Sequence, residues 1–358
     1  MRASRRPRRL LQKLALALAV VVSVGLVSPA PAQAAAPTTR FGAQFHGLWA
    51  EWSDDQRRRA LDELAASGAT AVRIDVGWPM IEPRRGAIDY GWGVPLIDKV
   101  FAMARERNLR VLATLWLTPG WANGGRGDKV LPTDVADYAR VAQFAANRWR
   151  NVEAWQVWNE PNLDAFLNPP DPVGYTRLLR AAHPAIKAGN PNARVVFGGT
   201  MYVDTPWIKR SYEAGARPFF DVMAVHPYQG DSSMPPEHPS DGNIWWLNNT
   251  RTLVDLMRVY GDSHKSIWYT EFGWSAHANT SSTPVWAKGV TEAQQADYFL
   301  RTMRYVQATY PQVSRAYWYT SRDKTTGNAH QDNFGLLRRD FSRKPVLRTA
   351  ACAYRGIC

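Results

Sequence analysis

Short apolar or β-branched runs recur along the chain at 41–48, 69–76, 110–117, 152–158, 194–199, 221–227, 266–272 and 315–320. Each has the length of a strand, and none extends far enough to read as a helix. Between them lie longer stretches whose apolar positions fall three and four apart, clearest at 53–67, 92–107, 134–149, 173–188, 245–260 and 291–308. That spacing gives a helix one apolar face. The first predicted helix opens at Ser53, has Gln56 three residues on and stops before Gly68; a capping box and a glycine C-cap are expected there. Alternating strands and helices call for a parallel sheet with crossover helices. Eight repeats predict an α/β protein built as a (β/α)8 TIM barrel, a single domain over 40–350. The competing open, doubly wound sheet would carry a glycine-rich turn after its first strand. The segment FHGLWAEW at 45–52 has no GxGxxG pattern.

Loop lengths divide the two ends of this barrel. Helix-to-strand connections are short, as at Ser67-Gly68 and Arg150-Asn151, whereas 118–133, 228–244, 273–290 and 321–335 are long and rich in Gly, Pro, Asn, Ser and Trp. Long loops at the C-terminal ends of barrel strands are where a substrate cleft is built.

The amino terminus departs from this pattern. Residues 2–13 are basic, Leu14–Val27 is an apolar run, and APAQA follows. This is the order of a secretory signal peptide, placed at 1–35. The apolar run falls short of the roughly 20 residues a spanning helix needs. A secreted, extracellular protein with no membrane attachment after signal cleavage is expected, and a monomer. The two cysteines, Cys352 and Cys358, lie in a C-terminal tail at 351–358; in an oxidising compartment a disulfide closing that tail is the expected state.

Charge adds little. The formal net charge is +13, of which six cations precede residue 37, leaving +7 without a concentrated basic block. A nucleic-acid partner would ask for a patch or motif, so none is expected. The 16 Trp, 14 Tyr and 12 Phe change the picture more. Aromatic faces stack on the C–H faces of sugars, and Trp49, Trp52, Trp78, Trp116, Trp121, Trp274 and Trp318 all fall at or just beyond strand ends. About half of them are expected to be core packing only.

The polar residues at strand tips carry the chemistry. Strand four ends WQVWNEPN, placing Asn159 and Glu160 at its tip, and strand seven ends WYTEFGWS, placing Glu271 at its tip. A carboxylate closing an apolar strand is costly unless it is paired or used. Glycoside hydrolysis uses two carboxyl groups flanking one bond. Either glutamate alone reads equally well as a helix cap or a salt-bridge partner; the two together favour catalysis.

At these residues the sequence resembles the retaining glycoside hydrolases of clan A, over nearly all of the chain that follows the signal. Within the clan it looks most like family 39 and related polysaccharide hydrolases, with cellulase-like family 5 next. The resemblance implies that Glu160, in Asn159-Glu160-Pro161, is the acid/base and Glu271, in YTEFGW, the nucleophile. It further implies that Asn159 bonds the sugar 2-hydroxyl and that Arg73, in VRIDVGW, holds the nucleophile. His226 and Tyr228, in VHPY, would stand beside the nucleophile, with Trp318 as the platform under the reacting sugar. His46, Trp116 and Trp274 complete the expected sugar-binding set, while Asp75 shares a face with Arg73 and has no assigned role.

The activity so implied is that of a retaining β-glycosidase acting on a polysaccharide or oligosaccharide. Cellulase-type endoglucanase action and a non-catalytic glycan-binding barrel are the alternatives. A metal-dependent phosphodiesterase would need an acidic and histidine ligand set near strands one and two. Neither His46 nor His226 has partners at metal-ligand spacing in the sequence, so no metal and no cofactor is expected.

Overall fold

The computed structural model describes residues 37–358; the segment read as a signal peptide lies outside them. Eight parallel strands form the barrel: β1 (Arg40–Gln44), β2 (Ala71–Gly77), β3 (Arg110–Trp116), β4 (Ala154–Val157), β5 (Arg194–Val196), β6 (Val222–His226), β7 (Ser266–Phe272) and β8 (Val313–Trp318). Each pairs with its sequence neighbour, β1 pairs with β8, and a Val196–Val222 pairing closes the ring between β5 and β6. A two-residue strand, Thr200–Met201, runs beside the end of β6.

Eight helices cover the barrel: α1 (Asp54–Ala66), α2 (Gly93–Glu106), α3 (Val135–Arg148), α4 (Pro172–Gly189), α5 (Thr205–Glu213), α6 (Thr250–Val259), α7 (Glu292–Thr309) and α8 (Pro345–Arg355). The expected capping box at Ser53 and Gln56 forms in both directions. Two helices escape a periodicity reading. α5 spans only nine residues, and α8 begins at a proline and lies where the sequence suggested a tail. Residues 351–355 therefore extend α8, and Cys352 and Cys358 are disulfide-bonded across its end. Among the described residues no helix is long and apolar enough to cross a membrane.

Strand alternation divides the core in two. Outward residues pack beneath the helices, while Ala71, Leu112, Ala154, Val196, Val222, Ala224, Trp268 and Tyr317 form a separate plug inside the ring. A Cβ on Gly42 would stand 2.7 Å from the Tyr317 ring, so only glycine on β1 leaves room for that tyrosine. Above this plug the interior turns polar, with Gln44, Arg73, Thr114, Gln156, His226 and Thr270 all buried. The candidate functional site is built on that polar layer, at the C-terminal end of the strands.

Candidate active site

Arg73, fully buried on β2, is the hub. Its Nη1 donates to Glu271 Oε1 and to Gln44 Oε1, each at 2.6 Å, and its Nη2 donates to Asn159 Oδ1 at 2.6 Å. Burying a charge costs several kcal/mol unless such partners offset it. Asp75 accepts from Gln44 Nε2 at 2.8 Å and lies 3.5 Å from Arg73; it belongs to this network.

Two local distortions bring neighbouring residues to one face. Successive strand residues should point opposite ways, yet Asn159 and Glu160 both face the interior. Trp158 and Glu160 adopt φ of 71° and 42°, so the chain turns sharply after β4. On β7 a register shift between Tyr269 and Phe272 allows Thr270 and Glu271 to turn inward together. Gly199 then closes the space behind them: a Cβ there would lie 2.5 Å from both His226 Nε2 and Thr270 Oγ1.

The two glutamates have unequal surroundings. Glu160 is 4% exposed and Glu271 8% exposed. Glu160 Oε1 lies 2.7 Å from His226 Nδ1, whose Nε2 is 3.0 Å from Thr270 Oγ1. Tyr228 donates to Glu271 Oε2 at 2.9 Å. Burial, helped by the charge on Glu271, raises the pKa of Glu160 despite its His226 contact. Burial also pushes Glu271 upward, but His226, Arg73, the Tyr228 hydroxyl and Lys324 together outweigh it and hold this carboxyl below its ordinary value.

His226 stands next to Glu271, as expected, but between the two glutamates. Its hydrogen bond goes to Glu160, and Glu271 Oε2 is 3.8 Å from Nδ1. The expectation that His226 lacks neighbours at metal-ligand spacing also fails, because atoms of Glu160, His226 and Glu271 lie within 4.8 Å of one another. Strands four, six and seven bring them together, which linear spacing does not reveal. The Arg73 charge already occupies one Glu271 oxygen, so this donor set fits a metal cation poorly.

The cleft has two lobes that meet at the carboxylates. One, about 340 Å³, is lined by His46, Trp49, Asp75, Met80, Trp116 and Asn159. The other, about 200 Å³, is lined by Tyr202, Tyr228, Trp274, Trp286, His330 and Phe334. Glu160, Glu271, Phe166 and Tyr319 line both. His46 stacks on Trp49 with ring centroids 4.0 Å apart.

Trp318 is not part of this wall. It is fully buried, donates its indole N–H to Phe334 O at 2.7 Å and packs on Phe272 and Phe299. Its half-buried successor Tyr319 takes the place facing the cleft, with its hydroxyl 2.6 Å from Lys324 Nζ. Among the other expected aromatics, Trp49, Trp116 and Trp274 reach the cleft. Trp52 and Trp78 are core, and Trp121 packs outside the cleft, donating to Glu82 O. The loop 118–133 contributes nothing to either lobe, whereas the segment after Glu160 contributes Leu163 and Phe166. An aromatic in a long stretch following the strand-four glutamate was the available signal.

Two buried carboxyl groups with opposite pKa shifts face each other at the C-terminal mouth of a parallel (β/α)8 barrel, an arrangement chemically suited to glycosidic bond cleavage. The protein has the barrel fold of the clan A glycoside hydrolases. Its chain belongs to the cellulases of glycosyl hydrolase family 5, whose family model matches residues 32–323. Within the clan, the matching family model is thus that of family 5, not family 39.

The chain is 26% identical over 190 residues to a probable glucan 1,3-beta-glucosidase of Arthroderma benhamiae, covering 50% of this chain and 44% of that protein. It is 28% identical over 133 residues to probable glucan 1,3-beta-glucosidase A of Aspergillus niger, covering 34% of this chain and 32% of that one. It therefore spans less than half the length of these curated relatives. In fold it resembles a family 39 glycoside hydrolase from the gut symbiont Bacteroides cellulosilyticus WH2, with a TM-score of 0.70 at 23% identity, covering 89% of this chain and 64% of that one. It also resembles the GH5_18 enzyme of Streptomyces cattleya in complex with GlcNAc, with a TM-score of 0.67 at 21% identity, covering 90% of this chain and 80% of that one.

Proposed function

We propose that the protein is a secreted, retaining β-glycosidase acting on a polysaccharide or oligosaccharide through a covalent glycosyl-enzyme. Glu271 is the nucleophile and Glu160 the acid/base. The observation that carries this reading is the opposed pKa shift of two carboxyl groups with oxygens within 4.8 Å of one another. Retaining enzymes place their carboxyl groups about 5–5.5 Å apart, and inverting ones leave room for a water.

In the first step Glu271 attacks the anomeric carbon while Glu160 gives its proton to the departing oxygen. Arg73 and Tyr228 hold Glu271 ionised and aimed. Forming the ester removes the Glu271 charge, which relaxes the upward pull on Glu160. Glu160, left as a carboxylate, then takes a proton from water as that water attacks the same carbon, and Glu271 is released. Asn159 contacts the sugar beside Glu160 in this reading.

The two lobes support sugar units on both sides of the cleaved bond. His46 Nε2 and Asp75 Oδ1 are buried, line the larger lobe and have no hydrogen-bond partner in the protein. Glucan-type β-glucosides are the first substrates to assay, because of the names carried by the fungal relatives.

The test is Glu160→Ala. Its turnover of nitrophenyl glycosides should fall much less than that of natural glycosides, and azide should accelerate it by trapping the glycosyl-enzyme. Equal losses on both substrate types without azide rescue would remove Glu160 from the acid/base role.

A further inference from the structure

The opposite end of the barrel holds a second concentration of functional groups. Arg40, Arg110 and Arg194 are the first residues of β1, β3 and β5, and all are exposed. By alternation each shares the interior face with Gly42, Leu112 or Val196, two residues further along its strand. Arg315 on β8 lies two residues before the inward Tyr317 and is the register partner of Arg40. Four guanidinium groups therefore gather at the barrel floor. Glu153 is their one close carboxylate among the described residues, bonded to Arg315 at 2.6 and 3.2 Å and 3.6 Å from Arg110.

A hollow of about 350 Å³ opens at this floor. Its wall includes Arg40, Arg194, Arg315, Trp268, Ser266 and Ser314, and no acidic side chain among the described residues. Arg315 is 2% exposed, yet its Nε has no hydrogen-bond partner. The guanidinium carbons of Arg315 and Arg194 lie 4.6 and 5.9 Å from the centroid of the Trp268 ring. Closing a barrel needs none of this. Like charges placed together repel, and a neutral floor would avoid the repulsion.

We propose that this floor is a second binding site, which takes a sugar-sized ligand carrying an oxyanion. A uronate carboxylate or a sugar phosphate supplies the required chemistry, as in the units of an acidic polysaccharide. Guanidinium forks match such oxyanions with two parallel hydrogen bonds. The hollow, about 350 Å³, is at the small end of ligand cavities, which start at roughly 300 Å³, and takes one sugar unit, free or at the end of a chain. Its position at the N-terminal face leaves the catalytic mouth free. Bound there, an anionic polymer would tether the enzyme without blocking hydrolysis.

Calorimetric titration at low ionic strength with glucuronate, glucose 6-phosphate, inorganic phosphate and glucose tests the site. The expected result is binding of glucuronate, glucose 6-phosphate or both, no binding of glucose, and affinity for inorganic phosphate lower by about tenfold or more. Which sugar anion binds better tells a uronate site from a phosphosugar site, and either preference supports the proposal. The double variant Arg40→Gln/Arg194→Gln changes only exposed side chains. It should fold normally, lose about tenfold or more of that affinity and keep full turnover of a neutral nitrophenyl glycoside. Unchanged affinity in that variant, absence of binding by both sugar anions, or equal affinity for inorganic phosphate would overturn the proposal. Loss of binding in Glu271→Gln would also overturn it, by placing the anion in the catalytic cleft.

Discussion

Arg73 is where charge, geometry and burial converge. Its fork reaches Glu271, Gln44 and Asn159 at once. Lysine at 73 would keep the charge but present a single point donor. Arg73→Lys should therefore lower kcat on the order of 100-fold, the size of effect that slight misplacement of a reacting group produces, with far-UV circular dichroism unchanged. Near-normal turnover in the folded variant would show that Arg73 does not position Glu271. The pH profile is set by the same residues. With Glu271 held low and Glu160 held high, kcat/KM should fall on the acid side as Glu271 takes up a proton. It should fall on the alkaline side as Glu160 loses its own. Tyr228 donates to the Glu271 carboxylate, a bond that favours the charged form. Tyr228→Phe should then move the acid limb to higher pH and leave the alkaline limb in place; movement of the alkaline limb alone would contradict this pairing.

At the scale of elements, the eight strands were legible as short apolar or β-branched runs and six of the helices by apolar positions three and four apart. What periodicity missed has a local cause in each instance. α5 is short, and α8, opened by Pro345, runs into the last residues, where the two cysteines suggest a disulfide-closed tail instead. The left-handed turns at Trp158 and Glu160, and the shifted register on β7, leave no mark on hydrophobic spacing. Yet they let Asn159, Glu160, Thr270 and Glu271 share one interior. The end of β8 shows the same limit. Trp318 and Tyr319 are adjacent aromatics, and composition does not say which one faces the cleft. Trp318 packs on Phe272, Phe299 and Trp274, so Trp318→Phe should cost roughly 1–3 kcal/mol of stability, with KM little changed. Tyr319→Ala should raise KM with a small change in Tm. Thermal unfolding and steady-state kinetics on the two variants separate the roles, and the reverse pattern would return the platform to Trp318.

At the scale of the whole molecule, the barrel keeps two kinds of chemistry apart. An apolar plug centred on Trp268 and Tyr317 separates the polar layer that carries the carboxylates from the arginine floor. The candidate site was legible because NEP and EFGW fall at strand tips in the expected order. The floor was not, because Arg40, Arg110, Arg194 and Arg315 are 275 residues apart at their extremes and meet only when the ring closes. The central claim is that Glu271 forms a covalent bond to the sugar. An activated 2-fluoro β-glycoside of a sugar the enzyme hydrolyses should inactivate it with one equivalent bound. Peptide mapping by mass spectrometry should place that sugar on Glu271. A label on Glu160, or hydrolysis of the unmodified glycoside with inversion at the anomeric carbon, would contradict the account.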